Sequence, residues 1–430
     1  MRIGFFSDRY LPFTDGIAYS MEGARCELEA LGHEVYIFAP KPTRRYREES
    51  PRVTRFPAVK GVFFDDYRFS VFYPPQARRR VDRLELDLVH FHTPGQLGMF
   101  GAYYALRHGI PLVTTYHTDL YEYVVHYPAV LPGVIALSVL APFATGCGRD
   151  GYRTSLSCVK PERSIDRWNQ RIVERGMTLI HNRCDLVITP SGKMEEQLNG
   201  WNTTSRIATL PSGVDEIPAT DAAVAQVRAE FGIAEDERVV LYVGRIGTEK
   251  NLGLLIDAFA YVAARCPRAR LVLVGPGDED GRFRAQAAAS AYAERITFTG
   301  RMERARLGGF YRLADVFAFP SMGDTQALVV NEAACAATPV VMVDRKISQV
   351  VEDGVSGLFA ANTVEDFADK ISILLKEPQR AAEMGRVARL RAGKLTSRAQ
   401  GAELARLYEE TVSRSRVSPA GPVSPCSRRG

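Results

Sequence analysis

The sequence predicts an α/β protein of two doubly wound, Rossmann-like domains facing a central cleft. Short apolar runs rich in β-branched residues alternate with longer helical patterns, the signature of a parallel sheet with crossover helices. The alternation restarts near residue 238, and 430 residues with 46% hydrophobic content suffice for two buried cores.

In the first half RIGFFSD, HEVYIFAP, LDLVHFHT, PLVTTYHT and DLVITPS each read as strands. The second series begins at RVVLYVG (Arg238 to Gly244) and continues through RLVLVGPG, ITFTG, VFAFPS and TPVVMVD, with helical segments such as NLGLLIDAFAYVAARC between them. Proline, glycine and turn chemistry in RIATLPSGVDEIP (Arg206 to Pro218) mark the boundary. The expected division is 1–205, 206–395, a helix at 396–414 that packs back on the first domain, and a disordered Ser-, Pro- and Arg-rich tail at 415–430. Strand ends at the switch point of an open α/β sheet form the crevice that takes ligands.

Net charge is only +5, but Lys41 to Arg83 holds twelve basic against five acidic residues. The clusters Arg44, Arg45, Arg47 and Arg78, Arg79, Arg80 suit an anionic membrane surface, a phosphorylated acceptor, or simply a basic surface. Seven scattered cysteines form no CxxC pair and no zinc spacing, which points to a reducing cytosol and no structural metal. The N-terminal MRIGFFSDRYLPF reads as a core strand and not as a signal peptide. The apolar stretch from Tyr127 to Gly146 contains Pro128, Pro132 and Pro142, which argues against a membrane span. Core packing, contact with a membrane surface, or lining of an acceptor site remain open for it.

After the first strand, Asp15 and Gly16 form a tight turn ahead of an amphipathic helix whose terminal amides suit a phosphate or a reacting sugar. All seven histidines lie at or before His181, so imidazole chemistry belongs to the first domain. His117 ends the strand PLVTTYHT and is read as a hydrogen-bond partner of the substrate, with Tyr116 and His126 beside it on the acceptor side. His90 and His92 end the preceding strand, while His33 and His108 read as structural.

In VLYVGRIGTEKN, Arg245 and Lys250 follow a strand end and suit a diphosphate, Arg as a bidentate fork and Lys as a point charge. A plainer alternative pairs them with Glu249 at the surface. Asp278 to Asp280 (DED) resembles a metal-binding DxD but reads as a solvated loop, and GPGDEDG fails as a dinucleotide fingerprint.

In SMGDTQALVVNEAACAATPVV, helical periodicity begins about Ala327, leaving Asp324, Thr325 and Gln326 in the preceding loop and Glu332 inside the helix. The free amides of the first turn can hold a diphosphate, and a carboxylate is a natural acceptor for paired ribose hydroxyls.

Taken together, these residues resemble glycosyltransferase family 4, retaining enzymes of the GT-B fold that use nucleotide-diphosphate sugars. The resemblance covers nearly the whole chain apart from its tail, through Asp15-Gly16, His117, Arg245 with Lys250, an E-x7-E-like pair in Asp324 and Glu332, and PSGVD (Pro211 to Asp215) in place of the family's PNGVD. It implies that Glu332 binds the ribose and that Asp324 faces hydroxyls of the donor sugar near the anomeric carbon. It also implies that Gln326, Ala327 and Leu328 contact sugar or phosphate and that Arg301 and Met302 hold the base. No metal or other cofactor is implied. Two departures stand out: Asp324 is one methylene shorter than the family's Glu, and Ala327 and Thr338 replace glycines.

Within the family, YHTDLYEYVVHYP, NRCDLVITPS and DTQALV are most similar to bacterial glycolipid synthases that glucosylate diacylglycerol. The expected partners are therefore a UDP-hexose or GDP-hexose donor, a lipid acceptor and an anionic membrane surface, without nucleic acid. The expected location is the cytoplasm, peripheral on the inner face of the cell membrane. Two other readings compete: a cytosolic transferase with a soluble acceptor, and a nucleotide-sugar-binding protein without turnover.

Overall fold

The computed structural model describes residues 1–13, 15–43, 45–60, 68–70, 75–126, 133, 135, 164–277 and 281–417. They form two compact units, Met1–Gly213 joined by the segment from Ser397 onward, and Val214–Thr396.

In the first unit the strands are β1 (Arg2–Phe6), β2 (Glu34–Pro40), β3 (Val53–Phe56), a small antiparallel pair β4 (Val59–Lys60) and β5 (Arg68–Phe69), then β6 (Leu88–Phe91), β7 (Leu112–Thr115), β8 (Leu186–Thr189) and β9 (Arg206–Thr209). Seven of them, among the described residues, make a parallel sheet in the order β3-β2-β1-β6-β7-β8-β9, so the switch point lies between β1 and β6. Strands buried on both faces need continuous apolar runs, and β6 and β8 are buried at every position. The helix Gly16–Ala30 starts where the Asp15 side chain accepts from the amide of Ala18, and it ends at Leu31 just before Gly32 in the left-handed region (φ 85°).

The helix Ser397–Val417 belongs to this unit. Its Leu404, Leu407, Tyr408 and Val412 share one buried cluster with Ile3, Phe5, Met21 and Leu28, each burial of that kind contributing about 1.5–3 kcal/mol. The approach to the helix Gly16–Ala30 is close enough that a Cβ on Gly401 would meet Glu27 Cβ at 2.3 Å.

The second unit carries β10 (Arg238–Val243), β11 (Ala269–Val274), β12 (Ile296–Gly300), β13 (Val316–Phe319), β14 (Val340–Met342) and β15 (Gly357–Phe359). All pair in parallel in the order β12-β11-β10-β13-β14-β15, with the switch point between β10 and β13. A Cβ on Gly275, just past β11, would lie 1.8 Å from the Gly244 carbonyl oxygen, so only glycine lets these two strand ends run so close.

Three expectations change. The boundary falls after Gly213 and not before Arg206, because RIAT pairs with β8 as the edge strand of the first sheet. Residues 415–417 continue the last helix, and the remainder of the tail lies outside the described residues. The helix in the E-x7-E-like segment is Leu328–Cys335, shorter than its periodicity suggests, because Ala337 adopts φ 60° ahead of Pro339. Arg44, the DED triplet and the apolar stretch from Tyr127, except Gly133 and Ile135, also lie outside the described residues. Among the described residues no helix is long and apolar enough to cross a membrane.

Candidate active site

In the second unit Arg245, Lys250 and Asp324 lie in the loops after β10 and β13, on both sides of the switch point, and Glu332 lies in the helix that follows β13. The loop after β10 is held from within: the buried Tyr242 hydroxyl donates to the Arg245 carbonyl at 2.9 Å. Asn251, in the left-handed region at φ 55°, donates from its side chain to the Pro320 carbonyl at 3.2 Å and to Asn362 Oδ1 at 2.8 Å. Ser321 Oγ reaches the Glu249 carbonyl at 3.4 Å. The loops after β10 and β13 are thus laced together before any charged side chain is counted.

Three ion pairs follow. Arg245 Nη2 lies 2.7 Å from Glu249 Oε1, with Glu249 only 9% exposed. Lys250 Nζ lies 2.5 Å from Asp324 Oδ1, both side chains being largely buried. Glu332, 5% exposed, accepts from Arg304 on Oε1 and from the Tyr311 hydroxyl at 2.7 Å on Oε2. The plainer reading of Arg245 as a partner of Glu249 therefore describes a real contact, with Glu249 buried and the Arg245 side chain 42% exposed. Lys250 goes to Asp324 instead.

The remaining donor-side residues are placed as follows. Gln326 and Ala327 precede the helix, Leu328 opens it, and Ala327 supplies no side-chain cap, so the first-turn amides have no capping side chain at that position. Arg301 follows β12 directly and is exposed, while Met302 packs partly against the unit's core. Thr338 donates through Oγ1 to the Tyr311 carbonyl at 2.6 Å.

In the first unit Asp15 caps its helix and also accepts from Arg9 Nε at 2.6 Å, and Gly16 is the exposed first residue of that helix, not part of a turn ahead of it. His117, just past β7, meets His92 across a 3.0 Å contact from Nε2 to Nδ1, with the rings stacked. His92 stacks in turn on His90, whose two nitrogens contact the Tyr408 hydroxyl at 2.5 Å and Thr115 Oγ1 at 2.9 Å. Burial pulls the His117 imidazole down to about 4, and burial together with its histidine neighbours pulls His92 well below its ordinary value, so both are neutral at pH 7.

Behind them a small enclosed cavity is lined by His92, Tyr116, His117, Met177 and His181 among others. Tyr116 is turned into this core, 3% exposed, with its ring edge-on to His181. His126 ends the helix Leu120–His126. His33 contacts the N-terminal amine at 3.3 Å, and His108 lies 4.0 Å from Asp82.

Arg304, Tyr311 and Asn251 were not singled out from sequence. For the first two a signal exists: in RARLGGFY they stand seven residues apart, which puts them on one face of a helix, here Arg304–Leu313.

Comparison with known proteins places the chain among glycosyltransferases. Residues 14–216 match the family described as Glycosyltransferase Family 4, and residues 224–391 match Glycosyl transferases group 1. The chain is 29% identical to the alpha-monoglucosyldiacylglycerol synthase of Acholeplasma laidlawii over 84% of each chain. It is also 29% identical to the enzyme of that name from Streptococcus pneumoniae, over 79% of this chain and 70% of that one. Among solved structures, a sucrose-phosphate synthase from Thermosynechococcus elongatus superposes with a TM-score of 0.71 at 20% identity, over 96% of this chain and 100% of that one. Anabaena HepE in complex with UDP-glucose superposes with a TM-score of 0.67 at 17% identity, over 95% and 100%. With its two parallel-sheet Rossmann-like units each matched in turn, the chain belongs to glycosyltransferase family 4 and is a retaining glycosyltransferase of the GT-B fold.

Proposed function

We propose that the protein moves a hexose, glucose in our reading, from a nucleotide-diphosphate sugar to a lipid acceptor such as diacylglycerol, with retained anomeric configuration. The observation that carries the donor half is the gathering of Arg245, Lys250, Asp324 and Glu332 at the switch point of one sheet. In this reading Arg245 and Lys250 exchange Glu249 and Asp324 for the donor diphosphate. They then stabilise the charge that grows on it as the glycosidic bond breaks, the place where fixed donors accelerate most. Asp324, released by Lys250, takes sugar hydroxyls; Glu332 takes the ribose, and the amides of Gln326, Ala327 and Leu328 take sugar or phosphate. Arg301 and Met302 hold the base of a UDP-hexose or GDP-hexose. The acceptor hydroxyl attacks on the face from which the diphosphate leaves, and a phosphate oxygen receives its proton.

Neutral His117, which meets His92 through Nε2, is read as a hydrogen-bond partner of a substrate hydroxyl. Gly16 is proposed for donor contact, and Asp15, Tyr116 and His126 for the acceptor side. The relatives' name supports a diacylglycerol acceptor. The exposed Arg78, Arg79 and Arg80 on the helix Pro75–Asp82, with exposed Arg45 and Arg47, support work at an anionic surface, peripheral on the inner face of the cell membrane.

The test is incubation of purified protein with UDP-glucose or GDP-sugars and diacylglycerol in phosphatidylglycerol vesicles, with glycolipid read by mass spectrometry. Glucosyl-diacylglycerol with an α linkage is expected. Transfer to soluble sugars alone would overturn the lipid half, and nucleotide binding without any release would overturn turnover itself.

A further inference from the structure

We propose that Tyr311 and Arg304 form a clamp that presets the Glu332 carboxylate for a pair of ribose hydroxyls, so that the site discriminates ribonucleotides from 2′-deoxyribonucleotides; this rests on the donor reading above. A glutamate side chain has three rotatable torsions, and a carboxylate left to itself samples several orientations. Glu332 is not left to itself. Its Oε2 accepts from the Tyr311 hydroxyl at 2.7 Å, its Oε1 accepts from Arg304, and the residue is 5% exposed.

Tyr311 is a firm anchor. It is 1% exposed, its ring packs 5.8 Å from that of Phe317, and its carbonyl accepts from Thr338 Oγ1 at 2.6 Å. Burial and the neighbouring Glu332 raise the Tyr311 hydroxyl well above its ordinary value, which keeps it a donor. Arg304 approaches from the first turn of the same helix, seven residues earlier, and its side chain is 35% exposed. The clamp therefore has one buried arm and one that reaches solvent.

A carboxylate offers about four lone-pair sites, and each oxygen here has one engaged by the clamp. The remaining site on each oxygen suits a vicinal diol, one hydroxyl per oxygen. Removing one hydroxyl from the ligand leaves a buried, oriented oxygen without that partner. A lost hydrogen bond to a charged group corresponds to roughly tenfold or more in affinity. A carboxylate free to rotate would re-form its contacts with whichever hydroxyl remains, and the discrimination would shrink. Tyr311 and Arg304 act through Glu332 and are positioning residues.

The test is calorimetric binding of UDP against dUDP, and of GDP against dGDP, to the full chain, with thermal unfolding of each variant as a control. The wild type is expected to prefer the ribonucleotide by about tenfold or more, Tyr311→Phe to bring that ratio below about threefold, and Arg304→Gln to lower it in the same direction. Arg304 is part-exposed, so its variant keeps the test open if Tyr311→Phe fails to fold. A wild type without ribose preference, or folded variants that both keep the full ratio, would overturn the clamp. Glu332→Gln separates the two levels: if it too keeps the ratio, the assignment of ribose to Glu332 fails, whereas if it alone abolishes the ratio, only the clamp fails.

Discussion

Lys250→Met tests the proposed donor site most directly, because the ion pair of Lys250 and its proposed catalytic role can be separated. Its ammonium lies 2.5 Å from Asp324 Oδ1, with side chains 18% and 16% exposed. Removing one member of a largely buried pair strands the other, at a cost of about 3–5 kcal/mol. In a unit of this size each kcal/mol moves the midpoint by about 2–4 °C, so the lower end of that cost predicts a fall of roughly 6–12 °C. The catalytic job we propose for it is a charge-assisted contact to the leaving diphosphate, about 1.5–3 kcal/mol, or roughly 10- to 150-fold in kcat/KM. Asp324 without the Lys250 charge beside it adds repulsion to the incoming donor, so a loss of about a hundredfold is expected. Lys250→Met combined with Asp324→Asn removes the stranded charge. That double variant should recover most of the thermal midpoint, read by scanning calorimetry, while transfer from the nucleotide sugar stays at least about tenfold down, because the diphosphate contact is still missing once the repulsion is gone. Transfer within threefold of wild type in the single variant, or recovery of transfer with stability in the double one, would refute the reasoning.

Glu332→Gln should raise the donor KM about tenfold with a smaller effect on kcat, since the ribose contact proposed for Glu332 would be made in ground and transition states alike; initial-rate kinetics against donor concentration checks this. His181, 1% exposed, has its imidazole pulled down to about 3 by burial, so the unfolded chain binds the proton more readily and stability falls as pH drops below the unfolded value near 6.5. By pH 5 this one group costs about 2 kcal/mol, and urea midpoints at pH 7 and pH 5 should show a loss that His181→Asn reduces. Replacing Arg78, Arg79 and Arg80 by Glu should weaken cosedimentation with anionic vesicles, at about 1 kcal/mol for each basic charge removed, while leaving binding to neutral vesicles unchanged.

Much of the fold was legible because both sheets are parallel and buried, so their strands read as apolar runs between helical patterns. Arg245, Lys250 and Asp324 were legible for a related reason: in an open α/β sheet a charged loop directly after a core strand lies at the ligand edge. What stayed hidden was partner choice. Nothing in TEKN says that Lys250 crosses to Asp324, 74 positions later, while Arg245 turns back to Glu249. The helical spacing of Arg304 and Tyr311 puts them on one face, but it is tertiary packing that brings the Tyr311 hydroxyl to Glu332. RIAT was assigned to the wrong unit because a short edge strand followed by Pro211 reads like a linker, and pairing with β8 is a long-range contact without a local signature.

The return of the helix Ser397–Val417 to the first unit has a consequence for biosynthesis. The second unit is one continuous stretch, but the first is not complete until the chain has passed through residues 214–396 and come back. At about 5–20 residues per second a ribosome needs on the order of 10–40 s for that stretch. Throughout it, the face of Ile3, Phe5, Met21 and Leu28 that Leu404, Leu407 and Tyr408 will cover stays open. His90 meanwhile waits for the hydroxyl of Tyr408. The later-made unit can therefore finish folding before the earlier one, and nascent chains stalled within it should bind chaperones through the uncovered first sheet.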